Sequence, residues 1–342
     1  MEKRNKTITA LKFIFFLGLG LLVIWLSVRN LSANEKAQII HSFRIANYAW
    51  VGFAILLGVF SHLLRALRWM LFFEPMGFNP SLKNTFYAVM VGYFANLAFP
   101  RLGEVTRCGL MAKYEKIPFN KALGTVITER AIDMILFILL FILMFFTQLG
   151  TIRDYLGVNI YPKMVAKFGD LHYSRMLFLS LAAFIAVLIL LFYLFRKKLQ
   201  SVIFYQKIRK LLFGFWEGLK SLGQIKKPWL FVFYSLAIWT LYFFMLYVIF
   251  FCFPETSGLG LGAGLSSLVL GSIGIMITPG GIGLYPAIIQ ETLLLYAVAK
   301  PTGLALGWIA WTAQTGMIAI VGGLSLLLLS FNKNRDEKSL PD

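Results

Sequence analysis

The chain has 342 residues, 59% of them hydrophobic and only 14% charged, with a formal net charge of +18. A soluble domain sits near half apolar and a quarter charged, so this balance excludes an ordinary soluble fold. In a membrane protein such a positive excess collects in cytoplasmic loops, which accounts for it more simply than nucleic-acid binding does.

The mean hydropathy is +0.75, and several runs exceed the roughly 18 apolar residues that suggest a membrane span. Period-two alternation is absent, which argues against a β-barrel. The fold class is therefore an all-α polytopic membrane protein. Met1 to Lys6 is a basic leader, followed by an apolar run from Ile8 to Val28. A signal peptide would have a shorter apolar core and a small-residue cleavage site, so this run reads as the first span, with the N-terminus cytoplasmic. Arg29 to Ala46 reads as a loop of mixed charge. The second span runs from Asn47 to Phe73 and carries Arg65 and Arg68 in the string RALRW. Snorkelling beside Trp69 explains that pair; the other reading points both at one cavity with Arg101.

Asn84 to Phe99 offers only about 16 residues before Pro100, too short at about 1.5 Å each for a hydrocarbon core of about 30 Å. Proline removes a donor and bends the preceding residue away from helical angles. Leu102 to Tyr114 reads as a second short helix, giving a re-entrant hairpin with its tip at Pro100. Such broken backbone needs protein or water to satisfy it. Within this stretch, GYFANLAFPRLGEVTR, helical spacing puts Arg101, Glu104 and Arg107 on one face, and Asn96 precedes the turn. Ala122 to Leu149 is a long span holding Glu129, Arg130 and Asp133. Gly150 to Ser174 is an outer polar loop, and Arg175 to Phe195 another span.

Residues 196–227 contain nine Lys or Arg and a single acid, Glu217. Leu211, Leu212, Phe215 and Leu219 recur at roughly helical spacing, so this segment reads as an amphipathic helix on the inner leaflet. It fixes the orientation. Trp229 to Phe251 then crosses outward, and Cys252 to Gly262, free of Lys and Arg, is external. Gly264 to Thr278 is a short helix that ends at TPGGIG, where Pro279, Gly280, Gly281 and Gly283 cannot continue a regular helix. Tyr285 to Ala299 returns, Gly303 to Ser330 crosses back, and the basic tail stays inside.

The two halves, residues 8–149 and 175–330, share one layout: two spans, a short hairpin broken at a proline, then one long span. That makes about six full spans and two broken hairpins in an inverted repeat, a recurring transporter architecture with the site where the halves meet. Five cations (Arg65, Arg68, Arg101, Arg107 and Arg130) face three anions (Glu104, Glu129 and Asp133). Intramembrane ionisable groups are usually functional. The positive surplus suits an anionic ligand, and the planar guanidinium fork suits phosphate. Glycines 280, 281 and 283 offer free amides at helix ends, or simply allow close packing.

The two cysteines do not pair by spacing, the three histidines show no ligand spacing, and no phosphate loop or nucleophile elbow is present. No metal or cofactor is expected. The expectation is a bacterial inner-membrane protein, both termini cytoplasmic, that binds and translocates an anionic phospholipid or lipid-linked intermediate without ATP hydrolysis. The alternative is a non-transporting subunit that presents lipid to a separate glycosyl- or aminoacyl-transferase. A lipid-modifying enzyme using Glu104, Glu129 or Asp133 lacks a visible nucleophile–base–orienter set, so the chain is not expected to be an enzyme. Its partners are membrane lipids and a possible lipid-modifying enzyme, not nucleic acid.

RALRW, NLAFPRLGEVTR, ERAIDM and TPGGIG, in this order and spacing, resemble the flippase-like domain family, the membrane regions related to the lysylphosphatidylglycerol synthase transmembrane domain. The resemblance implies a region that moves aminoacylated lipid between leaflets, with synthesis carried out by other portions of the synthase. One departure stands out. Relatives commonly carry a glutamate three residues after the last glycine of PGGxG. Here that position is Pro286, and the nearest acid is Glu291, with Gln290 beside it.

Overall fold

The computed structural model describes residues 31–98, 101–155 and 225–338, with a few positions among 18–29 and at 158 and 223. Most of the expected first span, the span Arg175–Phe195, nearly all of the amphipathic segment and the hairpin tip at Pro100 lie outside the described residues. Every regular element described is helical: α1 (Ala33–Ile45), α2 (Tyr48–Phe73), α3 (Leu82–Ala98), α4 (Leu102–Tyr114), α5 (Phe119–Thr147), α6 (Leu149–Tyr155), α7 (Pro228–Tyr247), α8 (Pro254–Ser257), α9 (Leu261–Ile277), α10 (Leu284–Leu294) and α11 (Lys300–Lys338).

Four helical stretches, 48–76, 119–147, 228–252 and 300–330, are long and apolar enough to cross a membrane. They correspond to four of the six full spans read from the sequence; the other two fall wholly or mostly outside the described residues. Large apolar side chains stay exposed along them, including Ile138, Leu139, Phe145 and Phe146 on α5. That is costly in water and natural in hydrocarbon.

The stretch from Arg29 to Ala46 is not a loop as expected. It contains α1, started by a capping box: Glu35 N–H donates to Ser32 Oγ at 3.2 Å, and Ser32 N–H donates to Glu35 Oε2 at 2.8 Å. Two orphan donors of the first turn are thereby satisfied. The same backbone hydrogen bond from Ser32, followed by its side-chain bond, holds the Glu35 carboxyl below its ordinary pKa.

Two pairs of short helices interrupt the long ones. α3 and α9 each have 17 residues, about 25 Å at 1.5 Å per residue, short of a bilayer core. In the first pair, α3 and α4 run back to back across a glycine contact. A Cβ on Gly103 would fall 1.9 Å from the Gly92 carbonyl oxygen, so no other residue fits there. Asn96 Oδ1 accepts from Gly103 N–H at 2.8 Å, which satisfies a free amide at the start of α4. In the second pair, a 3₁₀ turn at Pro279–Gly281 separates α9 from α10. Gly280, Gly281 and Gly283 have φ of 61°, 76° and 71°, left-handed conformations in which a side chain is strained.

Both pairs pack on α11. A Cβ on Gly307 would lie 2.8 Å from Pro286 Cα in α10, and one on Gly322 would lie 2.8 Å from the Met90 carbonyl oxygen in α3. Small residues at those two positions let one long helix seat both hairpins at backbone distance. The second break also reaches α3: a Cβ on Gly280 would lie 3.7 Å from Leu97 Cδ2 near the end of that helix. Trp311 Nε1–H of α11 donates to the Gly280 carbonyl at 2.7 Å. Two apolar clusters fill the interior. One gathers Ala54, Phe250, Ile289 and Leu306 toward the N-terminal end of α2; the other gathers Trp69, Phe73, Met111, Val126 and Phe231 toward its C-terminal end.

Candidate functional site

The charged residues gather beside the second apolar cluster. On α2, Arg65 and Arg68 lie three apart; on α5, Glu129 and Asp133 lie four apart. Each pair thus occupies one face of its helix, and the faces oppose each other. Arg65 Nη1 donates to Glu129 Oε1 and, at 2.8 Å, to Asp133 Oδ2. Arg68 Nη2 donates to Asp133 Oδ1 at 2.8 Å and more weakly to Glu129 Oε1 at 3.4 Å. Neutral groups on α7 take further donors: Tyr242 Oη accepts from Arg65 Nε and Nη2 at 3.3 and 3.2 Å, and Ser235 Oγ accepts from Arg68 Nη1 at 3.2 Å.

α4 contributes a third guanidinium. Arg107 Nη2 stands 3.0 Å from Glu129 Oε2, close enough for an ion pair. The donor is out of line, however, and Arg107 Nε, Arg107 Nη2 and Glu129 Oε2 are all buried without a hydrogen-bond partner among the described residues. Arg68 Nε is in the same position. The Arg107 guanidinium carbon lies 4.7 Å over the Trp69 ring, and Trp69 is fixed in turn by its indole N–H donating to Thr125 Oγ1 at 2.8 Å. Arg107 is thus held flat on an aromatic face, while the Nε/Nη2 edge that ordinarily binds an oxyanion in bidentate fashion lacks an aligned acceptor.

Burial makes this arrangement consequential. Relative exposure is 3% for Arg65, 0% for Arg68, 3% for Arg107, 0% for Glu129 and 8% for Asp133. Among the described residues, three guanidinium groups meet two carboxylates, leaving one surplus positive charge in the cluster so described. An unpaired buried donor costs about 1–3 kcal/mol, and more when charged. The donors without partners are therefore the energetically exposed part of the site.

Several expected positions differ. Arg65 and Arg68 neither snorkel nor share a cavity with the exposed Arg101; they lie at the centre of the buried cluster, because Glu129 and Asp133 supply the counter-charge that makes burial tolerable. Glu104 and Arg130 form a separate pair, Arg130 Nε donating to Glu104 Oε1 at 3.1 Å, with side chains 30% and 40% exposed. Arg101 is exposed, sits at φ 67° ahead of α4, and joins no ion pair among the described residues. The eight charged residues of the set thus divide into a buried cluster of five, a half-exposed pair and an exposed arginine.

Asn96 serves the hairpin turn rather than the cluster. Tyr285 is buried, its ring against Gly271 of α9. Glu291 is exposed and accepts from Gln290 Nε2 at 2.8 Å; among the described residues it pairs with none of the arginines. Pro286 is the packing partner of Gly307 described above. Sequence reasoning did not include Tyr242, Ser235, Trp69 or Thr125 in the site. Apart from Trp69, which adjoins Arg68, nothing local marks them.

The comparisons with known proteins follow the same lines. A UPF0104 membrane protein of Methanocaldococcus jannaschii is 31% identical over 109 residues, covering 30% of this chain. That match spans about a third, 32%, of the relative's own length. No solved structure matches this chain. The family described as the lysylphosphatidylglycerol synthase TM region matches residues 10–331, the stretch that carries the arginine–carboxylate cluster and both broken helix pairs, and this chain belongs to that family.

Proposed function

We propose that the protein binds an anionic lipid, a phospholipid or a lipid-linked intermediate, and translocates it across the membrane without hydrolysing ATP. The observation that carries this reading is the Arg107 edge: a buried Nε/Nη2 pair lacking an aligned acceptor, in a cluster with one surplus positive charge. A phosphate oxygen supplies both what the edge lacks and the missing charge. The exposed Arg101 at the head of α4 offers a first contact for the same headgroup.

The two broken helix pairs support the transport part of the proposal. They meet at Gly280 and Leu97, and half-helix ends converging inside a bundle are the usual form of a transporter site. In this reading the pairs are re-entrant, enter from opposite faces, and belong to inverted repeats over residues 8–149 and 175–330. The membrane is a bacterial inner membrane, with both termini cytoplasmic. The chain performs no chemistry on the lipid.

The test is lipid-resolved mass spectrometry of the purified protein. The parent should retain anionic lipid over zwitterionic lipid. Arg107→Lys keeps the charge but loses the bidentate fork, so it should lose that enrichment while remaining folded. Equal enrichment in the two proteins would refute the headgroup assignment.

A further inference from the structure

At its other end α5 is tied to the second helix pair by uncharged groups. Gln148 follows directly after α5. Its Oε1 accepts from Tyr296 Oη at 2.9 Å, and Tyr296 Oη also contacts the Gly262 carbonyl at 3.2 Å. Ser266 Oγ lies 2.8 Å from the same hydroxyl. Gly262 and Ser266 open α9, while Tyr296 follows α10. One phenol therefore clasps both legs of that helix pair and fastens them to α5. The seat is tight: a Cβ on Gly262 would fall 2.5 Å from Gln148 Nε2.

Glu129, where Arg107 fastens the first helix pair to the same α5, is 19 positions away. That is roughly 28 Å along a helix, close to one bilayer core. One long helix thus holds the first pair by an ion pair within its span and the second by a neutral latch just past its C-terminal end. The two fastenings differ in strength. Separating the buried Arg107–Glu129 ion pair, 3.0 Å between Nη2 and Oε2, would leave uncompensated charge and is hard, whereas one phenol with neutral partners contributes only a modest net amount.

We propose that the Tyr296 latch is a gate, and that its release opens the interior at the Gln148 end of α5 while the Arg107 lock keeps the other end closed. The proposal rests on the translocation reading, since only a protein that passes cargo needs such a gate. Ser267 reports on it. Ser267 is fully buried and lies on the stripe of α9 shared with Gly264 and Gly271, which pack on Tyr247 and Tyr285. Solvent reaches this stripe only if the pair loosens.

The experiment places Ser267→Cys in the full-length protein in native membranes and measures maleimide labelling, site by site, by mass spectrometry. The native Cys108, fully buried in the ionic half, is the internal control. Labelling at position 267 should be slow in the parent and roughly five- to tenfold faster with Tyr296→Phe, as loss of one neutral hydrogen bond implies. Cys108 should be unchanged. Gln148→Ala provides an independent route to the same result. Equal labelling at 267 with and without the latch would overturn the gate, as would fast labelling in the parent. A parallel rise at Cys108 would also overturn it, because the latch would then hold the whole fold. The readout involves no lipid, so an open latch in a protein that shows no anionic-lipid enrichment would remove the transport reading alone.

Discussion

Removing the Asp133 carboxylate is the sharpest perturbation of the buried cluster. Asp133 uses both oxygens, Oδ1 for Arg68 Nη2 and Oδ2 for Arg65 Nη1, each at 2.8 Å, at 8% exposure. In Asp133→Ala the Arg68 Nη2 keeps only its 3.4 Å contact with Glu129, and the surplus of positive charge doubles. Breaking a buried pair in this way costs about 3–5 kcal/mol, which for a chain of this size is on the order of 10 °C in melting midpoint. The assay is the midpoint for loss of the monodisperse peak in size exclusion after heating in detergent. Asp133→Leu combined with Arg68→Met should recover much of the loss, because replacing both members of a buried pair with apolar groups is often close to neutral. A midpoint for Asp133→Ala within about 2 °C of the parent would refute the reasoning, since that corresponds to less than about 1 kcal/mol.

Glu104→Ala removes the partner of a half-exposed arginine and should cost no more than about 1 kcal/mol in the same assay; a loss matching that of Asp133→Ala would contradict the division into two groups. Gly103→Ala drives a methyl group into the Gly92 carbonyl oxygen, 1.9 Å from the new Cβ. It should therefore lower the midpoint by the equivalent of about 1–3 kcal/mol or more, and a stable variant would show that the two helices do not meet at that glycine. Cysteines introduced at positions 205 and 257 report orientation: 257 should label from outside intact cells and 205 only after permeabilisation, and the reverse pattern would invert the topology.

The long helices were legible because each is an apolar run with helix-forming residues between turn signals, as at Asn47 and Pro228. The second break was legible because Pro279 and three glycines cannot continue a helix. α1 was not, because its polar composition resembles a loop. The Ser32–Glu35 capping box was the signal that could have found it. In the site, the buried depth of Glu129 and Asp133 was legible from their place in a long apolar run. The matching of spacings, three between Arg65 and Arg68 and four between Glu129 and Asp133, was also in the sequence and is what brings the arginines to the centre. The roles of Tyr242 and Ser235 were not legible, because a neutral residue in an apolar helix gives no sign of which distant arginine it will meet. Arg101 was misjudged because helical spacing was extended through a residue that stands at φ 67° outside α4.

The most direct test of lipid translocation is a proteoliposome assay without nucleotide, following a headgroup-labelled anionic lipid and a zwitterionic lipid from one leaflet to the other. The parent protein should move the anionic lipid faster than protein-free vesicles and faster than the zwitterionic lipid, and Arg107→Lys should abolish that advantage. Anionic lipid that co-purifies with the protein yet crosses no faster than in protein-free vesicles would contradict translocation, leaving a protein that binds lipid without moving it.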